Sequence, residues 1–417
     1  MRFLYQVGIQ TASLLLPISS LFSSKMKLFI EGRKQSFKIL KEKINPHKKY
    51  VWFHVASLGE YEQGLPVMEA LKKEQPELGI VLTFFSPSGF EIRKNNTVAD
   101  VTLYLPLDTK TNVKCFLNLV KPTQAFFIKY EFWPNYLTEL KKRNIPTFLI
   151  SGIFRESQLF FKSYGKFYRD ALKAFTHFFV QNETSKQLLQ QLNFNNVTVN
   201  GDTRFDRVAQ ILDKDNHIDF IEVFKNNTKT IVIGSSWPQD EAFLIPYINE
   251  NKQKIKFIIA PHNIKEEQIQ NIKNQLKKSV VLFSDKENKN LAEFDVFIID
   301  TIGILTKIYS YAEIAYIGGG FGTGIHNILE PATFGVPIII GPKYQKFQEA
   351  KDLVALGSCL VVHNQEDLNN TFNLLIKDEN IRKEKGNLSK QFVLKNKNAT
   401  QVIIQYLTLQ VNVFNKI

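Results

Sequence analysis

The sequence predicts an α/β protein of two doubly wound, Rossmann-like domains, and three observations lead there. Its 417 residues suit two domains of ordinary size, each able to bury a core of its own. From residue 50 onward, short β-branched and aromatic runs alternate with longer helical patterns, the order that parallel sheets with crossover helices require. Between two such series the stretch LDKDNHIDF, residues 212–220, is polar and weakly patterned, which marks a join. Hydrophobic residues at 44% and charged residues at 22% belong to a globular chain and exclude general disorder.

The chain opens with residues 3–22, uncharged and rich in Leu and Ile but interrupted by Gln6, Gln10, several Ser and Pro17. A spanning helix would be more uniformly apolar, and a signal peptide would end in a small-residue cleavage site. The first 50 residues also hold ten Lys or Arg against Glu31 and Glu42, most of the net excess of +13. Residues 1–45 are therefore expected to form an uncleaved, membrane-associated helix whose basic flank meets anionic lipid on the cytoplasmic side. No nucleic-acid motif accompanies the charge, so nucleic acid is not an expected partner. Cys115 and Cys359 match no metal or redox spacing and point to a reducing compartment.

The first domain, 46–212, takes its strands at 50–55, 80–84, 123–128, 147–150 and 178–180. The second, 213–417, takes them at 230–233, 256–260, 280–283, 296–299, 314–317 and 337–340, with a last helix free to pack back on the first domain. Doubly wound sheets bind ligands beyond the carboxyl ends of their strands, so two facing sheets are expected to place a site in the cleft between them.

The polar residues at those strand ends are the candidates. The first strand ends in a turn with Ser57 and Gly59, and Glu60 heads a helix. The second leads through Thr83 to Ser86, Ser88 and Gly89, a loop suited to hydroxyl-rich or anionic groups. The third leads to Glu131, just before Trp133-Pro134. Singly, each carboxylate has an ordinary explanation as a helix cap and the indole as core. Their convergence on one mouth does not. In the second domain GSSWPQDEAF (234–243) is a small-residue turn into a helix, and His262 follows a strand. No His, Glu and Asp set has metal spacing; Asp213 and Asp215 sit in the join rather than at a strand end.

The segment YIGGGFGTGIHNILEP, 316–331, places five glycines in seven positions. No start gives the glycine offsets of a dinucleotide fingerprint, and Ile325-His326 follow Gly324 where a Walker loop needs Lys and Ser or Thr. What remains is a strand, a loop without side-chain bulk, and a helix with His326, Asn327 and Glu330 on its first turn. Its free N–H groups favour an anion; a plain tight turn is the alternative.

Read together, HVASLGE, TFFSPSGFE, YEFWPN, VNGDTRFD (199–206), GGGFGTGIHNILEP and GVPIIIGPKYQKFQEA resemble, in this order and along nearly the whole chain, the Kdo transferases. These attach 3-deoxy-D-manno-oct-2-ulosonic acid (Kdo) to the lipid A precursor of bacterial lipopolysaccharide. The resemblance implies a GT-B fold and a glycosyltransferase with CMP-Kdo as donor; in-line attack without an enzyme nucleophile gives inversion, and helix dipoles with Arg204 supply the positive field without a metal. It implies a first domain that faces the inner membrane and receives the lipid acceptor. It assigns Glu60 as general base and Glu131 as the acidic residue of the Trp-Pro-Asn motif. Donor contacts fall to Arg204, Ser235, Ser236, His262, Gly320, Gly322, Thr323, Gly324, Asn327 and Glu330, with the N–H groups of residues 322–324 receiving the phosphate and Glu330 the ribose. Acceptor contacts fall to Ser57, Gly59, Thr83, Ser86, Ser88 and Gly89. Three positions depart from the family: Lys129 stands where many members have Glu, His262 where many have Arg, and Arg204 where some have Lys. The aromatic cluster Phe160, Phe161, Tyr164, Phe167 and Tyr168, with Lys162 and Lys166, faces lipid or packs as core. Rival readings are another GT-B enzyme using a UDP-sugar, a noncatalytic nucleotide-sugar binder at the membrane and, below both, a Rossmann dehydrogenase.

Overall fold

The computed structural model describes residues 1–19 and 23–414, and within them the chain divides into two units. The first comprises Met1–Arg207 with Lys397–Ile417, the second Val208–Asn396.

The sheet of the first unit has seven strands: β1 (Tyr50–Val55), β2 (Gly79–Phe84), β3 (Val101–Tyr104), β4 (Gln124–Ile128), β5 (Thr147–Gly152), β6 (His177–Val180) and β7 (Val197–Val199), in the order β3-β2-β1-β4-β5-β6-β7. Every pairing is parallel. Both faces are covered, as parallel sheets demand. Along β1, Tyr50 and Trp52 enter one core with Phe127 and Tyr136, while Val51, Phe53 and Val55 enter the opposite core with Phe126 and Phe148. The second sheet holds β8 (Lys229–Ser236), β9 (Ile255–Pro261), β10 (Val280–Leu282), β11 (Val296–Ile298), β12 (Ile314–Ile317), β13 (Ile338–Ile340) and β14 (Cys359–Val361), ordered β10-β11-β9-β8-β12-β13-β14 and again parallel.

Three strands escaped the sequence reading: β3, β7 and β14. Each is an outer strand of its sheet and is at most four residues long, too short to display a period. The join also lies upstream of the stretch 212–220, at Arg207–Val208, because Val208 is buried and already belongs to the second unit.

Residues 1–45 do not form one segment apart. The helix Ser24–Lys43 buries Phe29, Ile30, Arg33, Ser36 and Leu40 in the first unit. Arg33 donates to the carbonyls of Phe29 (3.1 Å), Phe85 (2.7 Å) and Leu105 (3.0 Å), and its guanidinium lies 3.5 Å from the centre of the Phe29 ring. Burial pulls its pKa down to about 9. The preceding helix, Arg2–Ser19, turns its polar side inward. Tyr5 donates to Asp108 at 2.6 Å and packs on Phe167 and Tyr168, and Gln6 donates to Asn135 at 2.5 Å. Phe3 and Leu14 are 77% and 75% exposed, and Leu4, Val7 and Leu15 are exposed to a lesser degree. No described helix is long and apolar enough to cross a membrane, and residues 20–22 of the expected apolar run lie outside the described residues.

At the other end, the helix Ala399–Phe414 belongs to the first unit. Ile403, Ile404 and Leu407 join its core, and Tyr406 stacks on His177 with centroids 4.3 Å apart. Its first turn is capped by Asp206, which accepts from the N–H groups of Asn398 and Thr400.

Candidate active site

In the first unit the ends of β1, β2 and β4 bring the acidic candidates together with a network that sequence reading missed. Glu60 lies in the first turn of the helix Leu58–Glu74, is buried, and accepts the Ser57 hydroxyl at 2.7 Å. The next loop packs directly on this turn. A Cβ on Gly89 would lie 2.8 Å from the backbone of Ser57 and Leu58, so this glycine serves close approach rather than acceptor contact. Ser86 caps the helix Pro87–Arg93, and its hydroxyl is 2.7 Å from that of Ser88.

Glu131 follows β4 after Lys129, whose φ of +67° is a left-handed conformation that few non-glycine residues adopt. The strained turn carries Glu131 onto His54, with 3.1 Å between Oε2 and Nε2, and onto the Trp133 indole N–H, also at 3.1 Å. Thr83, expected to touch the acceptor, is instead fully buried. It accepts from Trp52 Nε1 at 2.8 Å and meets His54 Nδ1 at 2.9 Å. It faces inward because alternate residues of β2 point to opposite faces of a sheet covered on both sides. Tyr130 sits beside two cations, Lys129 and Arg155, at 5.1 and 5.9 Å from its ring centre.

Arg204 lies in the first unit, locked to the buried Asp202. Its backbone N–H reaches Oδ1 at 2.9 Å, and its Nε and a terminal nitrogen reach Oδ2 at 3.0 and 2.9 Å. Burial raises the Asp202 pKa, but Arg204 and Gln63 more than offset this and hold it below the ordinary range. Arg204 thus spends much of its charge on a neighbour, which weakens its expected role toward the donor phosphate.

In the second unit the glycine segment is organised by a residue that the sequence reading passed over. Asp240 is fully buried in the helix Pro238–Glu250; it accepts from the N–H of Gly319 (2.7 Å), the N–H of Trp237 (3.0 Å) and the hydroxyl of Tyr316 (3.0 Å), and also from the Phe321 N–H. Around it the loop folds on itself. Gly319 has a φ of +93°, and its carbonyl accepts the N–H groups of Gly322 (2.9 Å) and Gly324 (3.0 Å). Those two N–H groups are therefore not free for a phosphate, as expected from the sequence; Thr323 alone of the three keeps its N–H and hydroxyl without a partner among the described residues. Gly320 is not a ligand contact either. A Cβ there would lie 2.5 Å from the Gly341 backbone, so it exists to let β12 and β13 end side by side.

The helix after the loop is also shorter than expected. It spans only Leu329–Thr333, so His326 and Asn327 precede it. Asn327 accepts the Leu329 N–H at 3.2 Å and donates to Glu330 at 2.8 Å, and Thr306 donates to the other Glu330 oxygen at 2.9 Å. A five-residue helix offers little dipole, and side-chain charge replaces it: Lys343 and Lys346 join Gly322, Thr323, Gly324 and Gln345 around a cavity of about 620 Å3. The sequence signal for these lysines was present in GVPIIIGPKYQKFQEA, two basic residues just past a strand end.

Beside the loop, Trp237 donates its indole N–H to His326 Nε2 at 2.9 Å, so that the two rings are nearly coplanar, and His262 stacks on both at 4.4 Å. Burial and the neighbouring His262 lower the His326 pKa to about 4, and burial lowers that of His262. Both rings are neutral acceptor-type surfaces at pH 7. Ser235 is half-buried at a φ of +54°. Ser236 is fully buried and donates to Glu241 at 2.9 Å, which removes it from the donor contacts.

Comparison with known proteins agrees with this layout. The family model described as 3-deoxy-D-manno-octulosonic-acid transferase (kdotransferase) matches residues 31–207. A 3-deoxy-D-manno-octulosonic acid transferase of Rickettsia bellii is 29% identical over 370 residues, 86% of this chain and 87% of that protein. Among solved structures, a UDP-GlcNAc 2-epimerase of Neisseria meningitidis aligns with a TM-score of 0.62 at 16% identity, covering 86% of this chain and 99% of its own. MurG of Acinetobacter baumannii aligns at 0.56 and 14% identity, covering 86% and 99%. These structural likenesses assign the GT-B class of fold and nothing finer. With the family match over the acidic strand ends and the Rickettsia bellii relative spanning both units, the chain is similar to the Kdo transferases along most of its length.

Proposed function

We propose that this enzyme moves Kdo from CMP-Kdo to a glucosamine hydroxyl of the lipid A precursor, by a single displacement with inversion. The observation that carries the reading is the chemistry that each unit carries at its own strand ends: Glu60 and Glu131 at the ends of β1 and β4 in the first, and a lysine-flanked glycine loop at the end of β12 in the second. The acceptor oxygen forms a bond to the anomeric carbon while the bond from that carbon to the CMP phosphate oxygen breaks. The electron pair leaves with CMP, and the hydroxyl proton passes to Glu60. Ser57, Ser86 and Ser88 offer hydrogen bonds to the acceptor sugar, with Gly59 exposed beside them.

The negative charge of the departing CMP falls to the Thr323 N–H and hydroxyl, Lys343 and Lys346, Asn327 and Glu330 face the ribose, and His262 offers a ring face to the base. With lysines meeting the charge, the reading calls for no resident metal. The helix Arg2–Ser19 lies on the cytoplasmic face of the inner membrane with Phe3, Leu4, Val7, Leu14 and Leu15 toward lipid, and Lys25 and Lys27 beside anionic headgroups. The aromatic cluster supports that helix more than it meets lipid: Phe160 is core, Phe167 and Tyr168 seat Tyr5, and only Tyr164 is widely exposed.

The test is turnover of purified enzyme with CMP-Kdo and lipid acceptor, products read by mass, in the presence of a metal chelator. Wild type is expected to keep its rate there, and Glu60→Gln to lose about 100- to 10,000-fold in kcat. Near-normal turnover of a folded Glu60→Gln removes Glu60 from the role of base. Protection against thermal unfolding by UDP-sugars instead of CMP or CMP-Kdo would replace the donor.

A further inference from the structure

β4 and β5 lie side by side, with Ile128 paired to Ile150, so the loops that follow them leave the sheet together at its carboxyl end. The first loop begins Lys129, Tyr130, Glu131, and the second carries Arg155. Lys129 Nζ and the Arg155 guanidinium stand 5.1 and 5.9 Å from the centre of one ring, that of the half-buried Tyr130. Neither cation has a carboxylate partner among the described residues, although Glu131 and Glu156 are close to them in the chain. Glu131 turns Oε2 toward His54 and Trp133 instead. Other arginines of this unit are spoken for: Arg93, Arg143, Arg169, Arg204 and Arg207 each donate from the guanidinium to a carboxylate or a carbonyl. Between residues 50 and 207, Arg155 alone donates to none among the described residues.

Two like charges at one ring repel each other, and the ring returns only about 0.5 to 1 kcal/mol to each at an accessible site. The backbone opposes the arrangement as well, since Lys129 holds a φ of +67° at a cost on the order of 1 kcal/mol that a glycine would avoid. An anion seated between the two cations offsets both costs. Charge selects its kind: a carboxylate balances one cation, whereas a phosphate monoester, with a charge of about −1.5 to −2 near pH 7, balances both. Its oxygens also match the fork of the guanidinium.

We propose that Lys129 and Arg155 form an anion site, next to Glu131, that takes a phosphate monoester carried by the acceptor glycolipid. The inference rests on the reading above, in which the first unit receives the acceptor and the donor phosphate falls to the second.

The experiment measures equilibrium binding to the full-length enzyme without CMP-Kdo, in a neutral detergent that supplies no anionic headgroup. The probes are a glucosamine glycolipid acceptor bearing a phosphate monoester and the same glycolipid after phosphatase treatment. Wild type is expected to prefer the phosphorylated form by about tenfold or more. Arg155→Gln and Lys129→Asn, the latter chosen because Asn accepts a left-handed backbone, are each expected to weaken binding of that form about tenfold and to leave binding of the other within about twofold. Equal binding of the two glycolipids by wild type, or binding of neither, overturns the proposal, as does an equal loss for both in either folded variant. Should Lys129→Asn not fold, the change at the exposed Arg155 decides alone. A wild type that prefers the phosphorylated glycolipid yet transfers no Kdo to it strikes the reading beneath and leaves the anion site standing.

Discussion

At the scale of single residues, the second unit turns on Asp240. Its carboxylate is buried, which raises its pKa, while four donors, among them the N–H groups of Gly319 and Phe321, pull the other way. Asp240→Ala leaves those donors unpaired and releases the glycine loop. It is expected to cost about 3 kcal/mol or more in denaturant unfolding and to raise the KM for CMP-Kdo. Lys343 and Lys346 act through charge on the cavity beside Thr323. Replacing either with Ala is expected to raise the donor KM about tenfold, the value of one charge-assisted hydrogen bond. Ser236→Ala is the control: its hydroxyl goes to Glu241, so the donor KM is expected to stay put while stability falls. Equal effects on KM from Ser236 and the lysines would return Ser236 to the donor site.

Elements place these residues by ending where they do. Val55 of β1 pairs with Phe84 of β2, and His54 with Phe127 of β4, so the loops that follow emerge side by side. The central strands were legible in the sequence, because a strand buried on both faces reads as an unbroken apolar run. β3, β7 and β14 were not legible, being too short to display a period, nor was the shortened helix Leu329–Thr333, since nothing local says that the glycine loop closes on the Gly319 carbonyl. The helix Arg2–Ser19 is held by polar contacts and shows its apolar side outward, the reverse of a core helix. Leu14→Gln with Leu15→Gln is therefore expected to weaken binding to vesicles containing phosphatidylglycerol by tenfold or more, about 1 to 2 kcal/mol of lost burial, without lowering Tm. Unchanged vesicle binding would separate this helix from the membrane.

For the whole molecule, the first unit is closed by the last helix of the chain, with Tyr406 against His177. Burial lowers the His177 pKa to about 4 from an ordinary 6.5. A depressed folded-state pKa means that the unfolded chain binds the proton first. The contribution is thus present above pH 6.5 and is lost as pH falls toward 4, on the order of 2 to 3 kcal/mol. Thermal melts across that window are expected to show a steep fall in Tm that flattens in His177→Phe, which keeps the stacking ring and cannot titrate. An identical slope in the variant would assign the acid sensitivity elsewhere.

Local chemistry carried a great deal: two parallel α/β units, the acidic strand ends at Glu60 and Glu131, the glycine loop, and the family resemblance. These follow from periodicity and from residue types that stand next to each other in the chain. Only the folded structure decided that Thr83 and Ser236 turn inward, that Gly320 meets Gly341, that Asp240 holds the loop and that His54 reaches Glu131. Each of those depends on partners brought together across a sheet or between separate loops, and hydrogen bonds between atoms so far apart along the chain leave no periodic trace in its order.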